Sequence, residues 1–126
     1  MRTMSGRVRI RQWLARTKPD DYFLSVITLG EIQRGVEKLR PDRPVDAATL
    51  ETWLTQVRLK FSSRLLAVDE ASSLAWGRMP LKVRGNTSDA LIAATAVARG
   101  LIVVTRNVKD FEGRGVSIVN PFESAT

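Results

Sequence analysis

Three carboxylates fall where the chain changes from one element to the next, each with a polar companion. They are Thr28-x-x-Glu31, Ser88-Asp89, and Asn107-x-x-Asp110 directly after Thr105 and Arg106. Oxygen donors of this kind can cap helices, move protons, or hold a hard cation such as Mg²⁺ or Mn²⁺. Other chemistry is closed off. The chain contains no Cys and no His, which excludes disulfides, thiolate nucleophiles, imidazole acid-base catalysis and almost every zinc site. Any catalysis must run on carboxylates, hydroxyls, Lys, Arg or a hard metal ion.

Each carboxylate also has a purely local use. Thr28-x-x-Glu31 has the form of a capping box, in which the acid bonds back to the first amide of a helix. Asp89 in a first turn complements the helix dipole, and Asn107-x-x-Asp110 can cap a turn. Singly, each is explained as well by a cap as by a ligand. Jointly, three acids at one edge of a parallel sheet would repel one another unless a cation sat between them.

The elements that must position them can be read from periodicity. Asn86 to Asn107 organises the chain: Thr87 and Ser88 start a helix over Asp89 to Arg99 that is apolar nearly all round, and Gly100 stops it. Leu101 to Thr105 follows as a β-branched strand of the type covered on both faces of a parallel sheet. Upstream, Ile10, Trp13 and Leu14 suggest a short amphipathic helix, Tyr22 to Ser25 a strand, and Thr28 onward a helix lined by Ile32, Val36 and Leu39. Leu50, Trp53, Leu54, Val57 and Phe61 form a core stripe on a third helix. Leu65 to Val68 reads as a strand, Asp69 to Met79 as a helix carrying Leu74 and Trp76, and Val116 to Val119 as the last strand. The three Trp, at 13, 53 and 76, are expected in the core rather than stacked on bases. This alternation predicts an α/β fold with a mostly parallel sheet and helices on both faces. Residues 1–126 are expected to form a single domain, with residues 1–10 atypical.

Charge points to a partner. Twenty Lys and Arg against 13 Asp and Glu give a formal net charge of +7, a field that favours polyanions such as nucleic acid. The first 16 residues are rich in Arg and hold no acid, a superficial likeness to an organellar transit peptide. No apolar run reaches the about 20 residues of a membrane span, so no membrane partner is expected and a cytoplasmic location is. A basic surface around an acidic metal pocket describes a nuclease: Arg and Lys hold phosphates while the cation activates water. The competing readings are a binding domain with ordinary caps and an acidic-pocket switch. The switch lacks an Asp on a strand end to accept phosphate and a strand-end Lys after it.

Four segments carry a family resemblance: Tyr22 to Glu37 (YFLSVITLGEIQRGVE), Ser88 to Ala96 (SDALIAATA), Val104 to Phe111 (VTRNVKDF) and Val119 to Glu123 (VNPFE). In order and spacing, from about Arg11 to Glu123, the chain resembles the PIN-domain toxins of VapC type. The resemblance implies a Rossmann-like three-layer fold and a Mg²⁺-dependent endoribonuclease that hydrolyses RNA phosphodiesters, forms a homodimer and is restrained by a VapB-like antitoxin. It implies catalytic and metal-ligating roles for Glu31, Asp89 and Asp110, with Asn107 presenting an amide oxygen to the metal. Thr28, Ser88 and Arg106 then support the site or face phosphate.

The chain departs from that pattern at its start. Family members open with a short apolar strand ending in Asp-Thr-Asn, whose Asp is a principal metal ligand, and nothing like it is present. That strand lies mid-sheet in the family, between those matching Tyr22–Ser25 and Leu101–Thr105, so omitting it would leave neighbours about 9.6 Å apart. Arg7-Val-Arg-Ile10 is the one nearby segment with alternating character. The stretch from Trp76 to Asp89 is also short for the family. The expectation is low or absent metal-dependent RNase activity, through a lost or misassigned start. At the extreme, the chain would be an impaired PIN-like protein that only binds antitoxin or RNA.

Overall fold

The structure, a computed structural model, describes residues 22–82 and 86–120. The anticipated Ile10–Leu14 helix, the Arg7–Ile10 segment, Trp13 and most of the Lys82–Asn86 loop therefore lie outside the described residues. In chain order the elements are β1 (Leu24–Ser25), α1 (Val26–Leu39), α2 (Pro44–Lys60), β2 (Leu65–Leu66), α3 (Glu70–Gly77), α4 (Thr87–Ala98), β3 (Val103–Val104), a 3₁₀ turn (Val108–Asp110) and β4 (Ile118–Val119). This matches the predicted α/β order. β1 pairs with β2, and β3 with β4, both in parallel. Among the described residues the strands make two two-stranded sheets rather than one continuous sheet. Each strand is shorter than its apolar run. Ile102, expected inside a doubly covered strand, is 57% exposed; β3 is too short for its pleat to be buried on both sides.

The chain divides into two compact units, one covering residues 19–67 and the other residues from 68 onward. In the first, α1 and α2 form a helical hairpin whose apolar stripes meet. Leu50, Trp53, Leu54, Val57 and Phe61 are all buried, with Ile32 and Val36 from α1, as the spacing predicted. Gly35 faces this seam, where a Cβ would sit in ordinary van der Waals contact, 3.5 Å from Leu50 Cδ2. Pro44 opens α2 at a position where its missing N–H costs nothing. Arg40 closes α1 by a fork onto Glu37, Nε to Oε1 and Nη2 to Oε2 at 3.0 Å, and reaches Glu51 of α2 at 3.3 Å. Arg64 lies over the Phe61 ring at 5.4 Å and donates to the carbonyls of Tyr22 and Lys60, each at 3.0 Å. It thereby satisfies an orphan carbonyl at the end of α2 while steering the chain towards β1.

In the second unit α3 packs on α4. Ala93, Ala96, Val103 and Phe111 form a core cluster, with Ile92, Leu101, Met79, Val116 and Ile118 against it. Ser72 is fully buried, and its Oγ donates to Asp69 Oδ1 at 2.7 Å while its N–H donates to the same oxygen at 2.9 Å. Leu74 and Trp76 are 51% and 44% exposed. The core placement expected for Trp76 is thus wrong: α3 turns Ser72 inward and leaves its larger apolar side chains partly in water. Trp53 behaves as expected. α4 ends in a Schellman motif, with Gly100 at φ 67° and the Leu101 N–H on the Ala96 carbonyl at 2.8 Å.

Candidate functional site

The candidate residues divide between the two units: Thr28 and Glu31 in the first, Ser88, Asp89, Arg106, Asn107 and Asp110 in the second. α1 begins at Val26, earlier than the expected Thr28, because Ser25 takes the N-cap and its hydroxyl accepts from the Ile27 N–H at 3.1 Å. Thr28 is therefore inside the first turn, buried, and Glu31 lies well past it. The Thr28–Glu31 capping box does not form, so the local use proposed for Glu31 falls away. Glu31 is half-buried.

α4 starts at Thr87, and Asn86 is its N-cap. The Asn86 side chain accepts from the Asp89 N–H at 2.9 Å, and Asp89 Oδ2 accepts from the Asn86 N–H at 3.2 Å. This reciprocal box satisfies two donors that the helix start would otherwise orphan. Asp89 is 1% exposed, an unusual place for a carboxylate unless it is held by hydrogen bonds and charge. Ser88 beside it is half-buried.

After β3 the chain turns at Thr105, whose hydroxyl accepts from the Asn107 N–H at 3.0 Å. Asn107 precedes the 3₁₀ turn but makes no side-chain cap bond. The cap expected of it is made by neither its amide oxygen nor its amide nitrogen; the backbone closes the turn instead, Asp110 N–H donating to the Asn107 carbonyl at 3.1 Å. Arg106, Asn107 and Asp110 are half-buried.

One residue was missed by reading motifs. Arg114, 5% exposed, donates from Nε to the Asp110 carbonyl at 3.0 Å and from Nη2, more distantly, to the Asn86 carbonyl at 3.5 Å. Burial pushes its guanidinium below the usual arginine range, and the Asp110 charge opposes that. The structure thus brings the Asp110 turn and the start of α4 to one side chain. The signal was in the chain as Gly113-Arg114-Gly115, two glycines bracketing a charge.

The donors in this unit are all oxygens, the kind that Mg²⁺ accepts. Among the described residues no three acidic side chains gather closely enough to hold an ion. What fits is a cation carried by one or two carboxylates, with waters and substrate phosphates completing its shell.

Residues 2–113 match the PIN domain. The chain belongs to the PIN domain family. Curated relatives are similar over most of this PIN domain. The plasmid stability protein StbB of Pseudomonas syringae pv. tomato is 30% identical, covering 91% of this chain and 86% of its own. VapC ribonuclease Y4jK of Sinorhizobium fredii is 32% identical, over 90% and 84%. Toxin FitB of Neisseria gonorrhoeae is 33% identical, over 90% and 85%. Among solved structures, FitAB bound to the IR36 DNA fragment superposes with a TM-score of 0.76 at 27% identity, covering 94% of this chain and 85% of that one. FitAcB from Neisseria gonorrhoeae gives 0.74 at the same identity, over 92% and 86%. This PIN domain is of VapC type, in a toxin–antitoxin ribonuclease family. No helix among its described residues is long and apolar enough to cross a membrane.

Proposed function

We propose that this PIN domain is the toxin of a type II toxin–antitoxin pair and cleaves RNA as a divalent-metal-dependent endoribonuclease. The observation that carries the reading is Asp89: a carboxylate 1% exposed, clamped at the start of α4, in a family whose curated relatives include a VapC ribonuclease. Asp89 and Asp110, with the Asn107 amide oxygen, would hold Mg²⁺ or Mn²⁺, waters and substrate phosphates completing the shell, and Glu31 keeps the ligand role that the family resemblance implies. The ion, when bound, neutralises phosphate charge and makes water a better nucleophile. The chain's own part is to fix the donors and bind the substrate. Asp89 is oriented by the Asn86 N–H, which donates to its Oδ2. Asp110 is presented by a turn closed by backbone hydrogen bonds. Arg106 and the net charge of +7 draw the RNA backbone in, with Thr28 and Ser88 supporting the carboxylates.

The FitAB relative, bound to DNA, supports a small VapB-like antitoxin as partner, and a homodimer is part of the same reading. The second reading is a PIN-like protein that binds only antitoxin or RNA.

Titration with Mg²⁺ by calorimetry, alongside cleavage of a mixed RNA pool with and without a chelator, separates the two. A nuclease binds the ion, cleaves, stops under chelation and loses both properties on Asp89→Asn. Absence of both heat and cleavage, with RNA still bound, establishes the second reading instead.

A further inference from the structure

Glu112-Gly113-Arg114-Gly115 belongs to none of the motifs above, yet it holds the most buried of the cations described in this unit. Both glycines have φ near 78°, the left-handed region that other residues avoid. A kink on either side turns the intervening side chain inward while the glycines stay exposed. A guanidinium is a rigid fork of five donors that keeps its charge, so burying it is costly unless the donors are used. Two of them are: Nε holds the Asp110 carbonyl at 3.0 Å, and Nη2 reaches the Asn86 carbonyl at 3.5 Å across 28 residues of chain. One of these carbonyls belongs to a candidate ligand. The other belongs to the residue that clamps the second candidate, Asp89.

We propose that Arg114 is a positioning residue, whose fork sets the separation between the Asp110 turn and the first turn of α4, and hence between the two carboxylates. The inference rests on the metal-site reading above. Groups behind the ligands fix ligand geometry, and their loss typically weakens metal binding by about 10- to 100-fold. Lysine cannot substitute, because a single ammonium lacks the planar fork needed to reach two carbonyls in fixed directions.

The test compares Mn²⁺ affinity by calorimetry, RNA cleavage and thermal melting for the wild type, Arg114→Met, Arg114→Lys and Asp89→Asn. Arg114→Met should weaken Mn²⁺ binding about tenfold or more and lower kcat rather than raise KM, and Arg114→Lys should recover only part of either. Leu50→Val in the other unit, a core change that only lowers the melting point, should keep wild-type Mn²⁺ affinity. Mn²⁺ affinity equal to wild type in Arg114→Met, or in Arg114→Lys should the Met variant not fold, overturns the positioning role. So does loss of affinity in Leu50→Val, which would make the effect one of stability alone. If the wild type binds no Mn²⁺, or Asp89→Asn binds it equally well, the metal-site reading itself fails. If Asp89→Asn abolishes binding while the Arg114 variants keep it, only the present inference does.

Discussion

Asn86 and Asp89 hold each other: each side chain accepts a hydrogen bond from the other's backbone N–H, at 2.9 and 3.2 Å. A cap and a catalytic carboxylate are usually treated as alternatives, but here the cap occupies one carboxylate oxygen, Oδ2, and orients the whole group. Structure and chemistry can therefore be separated by substitution. Asp89→Asn can keep an acceptor for the cap and should melt within a few degrees of wild type while losing Mg²⁺-dependent cleavage. Asp89→Ala should lose cleavage and in addition about 1 kcal/mol of stability with the cap. Parallel melting curves and cleavage assays read both, and an Asp89→Asn variant with undiminished cleavage would refute the assignment.

Glycines with the same formal freedom should respond in opposite directions. Gly30 is exposed inside α1, and a Cβ there meets nothing within 4 Å. Gly30→Ala should stabilise by about 0.5–1 kcal/mol, because alanine loses less backbone entropy in a helix. Gly115, at φ 78°, also has open space around it, yet Gly115→Ala should destabilise by about 1–2 kcal/mol through the strain of the left-handed backbone. Denaturant midpoints at constant m-value check both signs.

Acid should loosen the second unit through Asp69. Asp69 accepts from the Ser72 hydroxyl and N–H and pairs with Arg99 at 3.1 Å. The Ser72 hydrogen bonds, first the hydroxyl and then the backbone N–H, and the Arg99 charge hold its carboxyl below the ordinary 3.8. A depressed folded pKa means that the unfolded chain takes up the proton first. The contribution is fully present above the unfolded value and is lost as pH falls through the folded one. Stability should therefore drop below about pH 4, and Asp69→Asn should lower stability at neutral pH while flattening that drop. Urea melts from pH 7 to 2.5 provide the measurement.

The two described tryptophans should differ sharply. Trp53 is 9% exposed within the α1–α2 core and Trp76 is 44% exposed. Truncating Trp53 to Ala should cost about 3–5 kcal/mol, as for other large core side chains. Trp76→Ala should cost less than half as much, since much of its surface is already in water. Fluorescence should agree, with the Trp76 component the more readily quenched by iodide.

The amino-acid order alone determined the alternation of strands and helices, the α2 stripe, the glycine stop after α4 and the family itself. These depend on periodicity and local backbone preference, which act over a few residues. It also named Glu31, Asp89 and Asp110. Tertiary structure decided what each residue does locally. Ser25, not Thr28, caps α1, because the chain leaves β1 directly into the helix. Trp76 is left partly in water because α3 turns Ser72, hydrogen-bonded to the exposed N-cap Asp69, inward instead. Asn107 makes no cap because backbone hydrogen bonds close its turn. Arg114 could not be assigned from its neighbours, since its partners Asp110 and Asn86 lie 4 and 28 residues away, and only the folded path of the chain brings both carbonyls to one guanidinium.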